Sequence, residues 1–144
     1  MVITLIVTVL LVILMVLVHS QALLWLSRLM SRMRASARWK IIAGVTGAIF
    51  THLFEVWLFA VGYFLLIAGG NAGQLTGDFS HGLRDCTYYS MIVYSSLGFG
   101  DILPTGPIRF LSGAEVLTGL LLMAWTASFL YLQMQRHWGK ELGA

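Results

Sequence analysis

No aspartate, glutamate, lysine or arginine precedes Arg28, and Glu55 is the only such residue between Lys40 and Asp78. As a helix, the first uncharged stretch, 1–27, would reach about 40 Å, enough to cross a hydrocarbon core of about 30 Å. Two further runs, 41–68 and 110–135, are also long enough to span with some tilt. The composition agrees: 58% of residues are hydrophobic and 10% charged, against about a quarter charged in a soluble domain. The basic residues flank apolar runs, which excludes a nucleic-acid binder despite the net charge of +3. Cys86 is the only cysteine, which excludes a disulfide scaffold. The chain therefore reads as an all-α integral membrane protein with three transmembrane helices. Its start lacks the cationic n-region of a cleaved signal peptide.

The cations orient the spans. Arg28, Arg32, Arg34, Arg38 and Lys40 form a basic segment, 28–40, between the first two spans, and Arg136 and Lys140 lie in a short tail, 136–144. Cationic loops stay cytoplasmic, so the N-terminus is expected outside and the C-terminus in the cytoplasm. The segment between the second and third spans, with Asp78, Arg84, Asp85, Asp101 and Arg109, then faces outward. The arginines do not recur at every third residue, as a voltage-sensing helix would require. Topology and contact with anionic lipid headgroups account for them.

The outer segment divides in two. An outer loop, 69–84, opens with Gly69, Gly70, Asn71, Gly73 and Gly77 and is expected to be flexible. Asp85 then offers an N-cap to a helix over 85–95, about 16 Å long and so only half a bilayer deep. A helix of that length between two spans is re-entrant. After it come Ser96, Leu97, Gly98, Phe99, Gly100 and Asp101. In an ordinary strand successive carbonyls point to opposite sides. A row of carbonyls facing one axis needs alternate residues in left-handed conformations, which cost least for glycine. Gly98 and Gly100 have that spacing, the Ser96 hydroxyl adds an oxygen at the inner end, and Asp101 places charge at the outer mouth.

The run Tyr94-Ser95-Ser96-Leu97-Gly98-Phe99-Gly100-Asp101 resembles the Thr-Thr-Val-Gly-Tyr-Gly-Asp signature of the potassium-channel pore, and its Gly-Phe-Gly-Asp form is similar to that of two-pore-domain channels. The resemblance covers about residues 60–135, in the order outer helix, pore helix, filter, inner helix. Arg109 matches the basic residue before the family's inner helix, and Gly119 its hinge glycine. The chain is similar to small bacterial channels of the two-transmembrane pore class with one extra N-terminal span, which implies the bacterial inner membrane. The pore module is then 41–144. The resemblance implies potassium as the permeant ion, with a selectivity filter at Ser96, Leu97, Gly98, Phe99, Gly100 and Asp101. Backbone carbonyls of Ser96, Leu97, Gly98 and Phe99 and the Ser96 hydroxyl would hold the ion. One chain supplies too few oxygens at each level, so a homotetramer is expected. Met123 and Ala127 would face the conduit. The sequence departs from the family at Ser96 for threonine, Leu97 for valine and Phe99 for tyrosine, which leaves a non-selective cation channel or a non-conducting channel-like subunit as alternatives.

Polar residues inside the spans need partners, because an unpaired charge at mid-bilayer costs about 2.5–3.5 kcal/mol or more. Thr51, His52 and Glu55 share one face of the second span. They are expected to form a polar lock, with His52 and Glu55 satisfying each other or reaching Thr118 or Thr126. The same pair is the candidate for pH sensitivity. Two residues are too few for a metal site. Glu115 is expected to support the filter from behind, and Cys86 to be a buried thiol. Trp39, Trp138, Tyr63 and Tyr131 are expected at interfaces or in packing. No nucleophile or metal set accompanies His52 and Glu55, so no enzyme and no cofactor is expected.

Overall fold

A computed structural model describes residues 1–70 and 72–141, with side chains described through residue 137. Asn71, residues 142–144 and the side chains of Trp138 and Lys140 lie outside that description. The chain forms helix α1 (Val2–Arg32), helix α2 (Ala37–Ala68), strand β1 (Leu75–Gly77), helix α3 (Leu83–Tyr94), strand β2 (Ile102–Pro104) and helix α4 (Ile108–Glu141). Three of these helices are long and apolar enough to cross a membrane, and the fold is all-α with one short two-stranded antiparallel sheet.

The basic segment 28–40 is not a loop. Helix α1 continues through Arg32 and α2 starts at Ala37, leaving only 33–36 between them. Long arginine stems lie along apolar surface while their heads stay in water, so the charges do not end the helix. Arg32 in the last turn also suits the negative end of the helix dipole. Helix α4 likewise outruns its expected end at residue 135. The pore helix begins at Leu83, with Gly82 rather than Asp85 in the N-cap position. Asp85 sits in the first turn, where a negative charge is favoured, and reaches back to the preceding loop.

Helices α1 and α2 run antiparallel at close range. A Cβ on Gly47 would lie 2.4 Å from Leu26, and one on Gly62 would lie 2.6 Å from Leu11. Small residues of this kind let membrane helices approach where no hydrophobic force drives them together. The buried face of α1 comprises Thr4, Thr8, Met15, His19, Leu23 and Met30, a narrow helical seam. Near its end, the Gln133 amide of α4 donates to the Ser27 hydroxyl at 3.1 Å. The arginine-bearing end of α1 and the C-terminal part of α4 therefore lie on one side.

The outer loop carries more order than its glycines suggested. Strand β1 pairs antiparallel with β2, Thr76 opposite Leu103. The approach demands glycine at two places: a Cβ on Gly73 would sit 1.9 Å from the Thr105 carbonyl oxygen, and one on Gly77 2.0 Å from that of Asp101. Both residues also have positive φ. The Ile108 N–H donates to the Ala72 carbonyl at 2.7 Å, tying the start of α4 to the same cap.

Helix α3 lies against both α2 and α4 without crossing the molecule. Ser90 Oγ lies 2.8 Å from the Val56 carbonyl oxygen. At its end, a Cβ on Gly119 would meet the Tyr94 carbonyl oxygen at 2.3 Å, whereas one on Gly113 would meet nothing within 4 Å. Gly119→Ala is therefore expected to cost about 1–3 kcal/mol through overpacking and Gly113→Ala nothing measurable. Thermal unfolding of the purified variants checks this, and equal melting temperatures would contradict the close approach.

Candidate functional site

Beyond the C-cap at Ser95 the chain turns sharply. The N–H groups of Leu97 and Gly98 both donate to the Ile92 carbonyl, at 2.9 and 3.2 Å. Ser96, Gly98 and Gly100 have φ of 57°, 56° and 84°, while Leu97 and Phe99 do not adopt positive φ. The left-handed conformation thus alternates over five residues, and Ser96 joins a pattern that the glycines alone suggested. No side-chain or backbone atom lies within 4 Å of where a Cβ of Gly98 or Gly100 would stand. It is the backbone conformation, not lack of room, that calls for glycine at these two positions.

Ser96 to Asp101 are all exposed on the single chain, Leu97 by 58% and Phe99 by 66%. The segment is anchored only at its ends. At the inner end it hangs from α3; at the outer end the Asp101 carbonyl accepts from the Asp78 N–H at 3.1 Å, and its carboxylate accepts from the Tyr88 hydroxyl at 2.7 Å. That hydrogen bond pushes the Tyr88 phenol above its ordinary range. Tyr88 thereby ties α3 to the Asp101 end of the segment. Nearby, the Asp85 carboxylate accepts from the Ser80 hydroxyl and N–H, which hold it below the usual carboxylate range.

Two fully buried carboxylates fasten α3 to the neighbouring helices. Glu115 accepts from the Ser90 hydroxyl of α3 and from the Tyr63 hydroxyl of α2. Tyr89 and Ser112 share a hydrogen bond of 2.8 Å beside them. Glu55 accepts from the Tyr94 hydroxyl at 2.6 Å. His52 lies 3.1 Å from the same Glu55 oxygen through Nδ1 and 3.0 Å from the Thr126 hydroxyl through Nε2. The lock between His52, Glu55 and Thr126 is therefore formed. Thr118 and Thr51 stay outside it, each hydrogen-bonding the carbonyl four residues back, Ala114 and Gly47.

His19 and Tyr94 are members that sequence reasoning missed. His19 Nδ1 lies 2.9 Å from the other Glu55 oxygen, and its Nε2 lies 3.3 Å from Thr126. His19 is the single histidine of an uncharged 27-residue run, which was signal enough to seek a partner for it. Tyr63 is fully buried and not an interface anchor, while Trp39 and Tyr131 are exposed. Cys86 is a buried free thiol. Gly119 packs on the end of the pore helix, Met123 rests partly against the core, and Ala127 is exposed.

A membrane-spanning scaffold that holds a half-depth helix and an exposed, alternating loop at its end defines an ion-channel module. The family model described as "Ion channel" matches residues 51–136, and the chain belongs to that family. No curated protein and no solved structure matches it. The matched range includes His52, Glu55, the pore helix, the alternating segment and α4, and begins after α1.

Removing either hydroxyl from Glu115 leaves a buried carboxylate short of a donor. Tyr63→Phe and Ser90→Ala are each expected to destabilise the protein by about 1–3 kcal/mol, and the double variant by other than the sum, because both act on one group. Denaturant unfolding of the three proteins checks this; strict additivity would show that the two hydroxyls do not share a partner.

Proposed function

We propose that the protein is a potassium-selective channel that conducts passively through a homotetrameric, carbonyl-lined filter. The observation that carries this is the alternation of positive φ at Ser96, Gly98 and Gly100. Alternating hand turns successive carbonyls toward one side, and four such rows replace the hydration shell of an ion. The carbonyls of Ser96, Leu97, Gly98 and Phe99 form the stacked sites, and the Ser96 hydroxyls form the innermost one. Potassium passes as substrate; the proposed mechanism uses no cofactor.

The rest of the chain supports conduction in this reading. The C-terminal end of α3 carries about half a negative charge from its peptide dipoles, directed at the pore interior, and so favours cations. Asp101 adds negative charge at the mouth. Gly119 is the hinge about which the lower part of α4 swings, starting from its contact with Tyr94. The four arginines and Lys40 between Arg28 and Lys40 face the cytoplasm and anionic headgroups of a bacterial inner membrane, with the N-terminus outside.

Reconstitution into liposomes tests the proposal. Under opposed potassium and sodium gradients the reversal potential is expected to lie near the potassium equilibrium value, and Gly98→Ala is expected to abolish flux by straining a left-handed residue. A reversal potential midway between the two cations would instead make this a non-selective channel. Wild-type tetramers without flux would make it a non-conducting subunit. Flux unchanged in Gly98→Ala would remove the filter assignment.

A further inference from the structure

The hydrogen-bond count around Glu55 does not close with an ionised carboxylate and two neutral histidines. His19 Nδ1 and His52 Nδ1 both face the carboxylate, at 2.9 and 3.1 Å. Their Nε2 atoms both face the single hydroxyl of Thr126, at 3.3 and 3.0 Å. If both rings carry hydrogen on Nδ1, Thr126 has one hydrogen for two Nε2 lone pairs. If His52 carries it on Nε2, its Nδ1 can accept from the Tyr94 hydroxyl at 2.9 Å, but Glu55 then shares or loses that donor. Each arrangement of the available hydrogens leaves one contact shared or unpaired, which a proton or a metal ion at the junction would relieve.

We propose that His19, His52 and Glu55 bind a divalent transition-metal ion of the zinc class, with the Tyr94 hydroxyl at the fourth position. The ligand atoms of the first three residues lie within 4.8 Å of one another. Tyr94 Oη is 2.9 Å from His52 Nδ1 and 2.6 Å from the carboxylate. Tetrahedral zinc with bonds of about 2.0 Å sets its ligands about 3.3 Å apart; the contacts of 2.6–3.1 Å must open and the wider spacings, up to 4.8 Å, must close, so binding draws the side chains around the ion. With both Nδ1 atoms on the metal, both rings carry hydrogen on Nε2, and the two lone pairs of Thr126 Oγ accept both. This is the outer partner that metal-bound imidazole normally has. Two nitrogen ligands favour a transition metal over magnesium, calcium or an alkali ion. His19 and Glu55 are fully buried, while the His52 side chain is 19% exposed and marks the route in.

Such an ion would join three elements at one point: α1 through His19, α2 through His52 and Glu55, and the last residue of the pore helix through Tyr94. It gives α1 a role as part of a clasp on the pore module. The site lies behind the alternating segment and does not depend on that segment conducting.

The test is a titration of the purified, chelator-stripped full-length chain in detergent with Co2+. One Co2+ per chain is expected, with the strong visible absorption of tetrahedral coordination, bleached by Zn2+ and unaffected by Mg2+. His19→Ala and Glu55→Gln are expected to lose that absorption, and His81→Asn, in the outer loop, to keep it. Zn2+ is also expected to raise the melting temperature of the wild type but not of His19→Ala. Wild-type protein without saturable Co2+ absorption overturns the site and leaves a proton at the junction. Absorption that persists in His19→Ala overturns it as well. Because the wild type alone can refute the proposal, misfolding of a variant does not shield it.

Discussion

A carboxylate inside a membrane protein must be met by hydrogen-bond donors or it destabilises whatever contains it. Two fully buried carboxylates organise this chain, and each accepts a hydroxyl from the pore helix: Ser90 to Glu115 and Tyr94 to Glu55. The helix is thereby held at two levels, one turn apart, by spans on both sides. Tyr63 also donates to Glu115, and the Nδ1 atoms of His19 and His52 lie 2.9 and 3.1 Å from the Glu55 oxygens. Among the described residues, no fully buried side-chain nitrogen or oxygen lacks a partner. What remains unsatisfied within one chain is the loop that this fastening presents. Ser96 to Asp101 stand exposed with large apolar side chains among them. Rigid support behind and an unpartnered surface in front is the arrangement that assembly about an axis would complete.

The two-stranded sheet serves the same purpose at the other end of the segment. Strands β1 and β2 are only three residues each, yet their pairing fixes Asp101 against Asp78 and carries the chain directly into α4. Tyr88 closes the remaining gap between pore helix and mouth. The alternating segment is thus held at both ends while its middle makes few contacts within the chain. Strain at left-handed residues persists only where surrounding structure over-determines it, and here the two anchors do so.

The spans, the half-depth helix and the glycine alternation were legible in the sequence because each rests on a local rule: length against bilayer thickness, charge placement, and the conformations open to glycine. Glu55 and His52 were legible as a pair, with Thr126 one of two partners beside Thr118, because polar residues are scarce inside spans. The helix ends were not. Arginine is a good helix former, so charge does not mark where a helix stops, and Arg28 and Arg32 lie within α1. The face of α1 was also hidden. Its residues are apolar almost all round, so lipid-facing and protein-facing sides have the same chemistry, and only the packing shows that His19 turns toward Glu55. The strand pair was missed because Gly73 and Gly77 look like flexibility, when each is required by a close backbone approach.

The central claim is that four copies of the exposed segment 96–101 surround one ion path. Anomalous diffraction from crystals of the intact assembly grown with Rb+ or Tl+ tests it most directly. The account predicts a row of heavy-ion sites on a fourfold axis, coordinated by the carbonyl oxygens of Ser96, Leu97, Gly98 and Phe99, with the Ser96 hydroxyls closing the inner end. An assembly in which these carbonyls face lipid or protein, or an axis that holds no ion at their level, would contradict it.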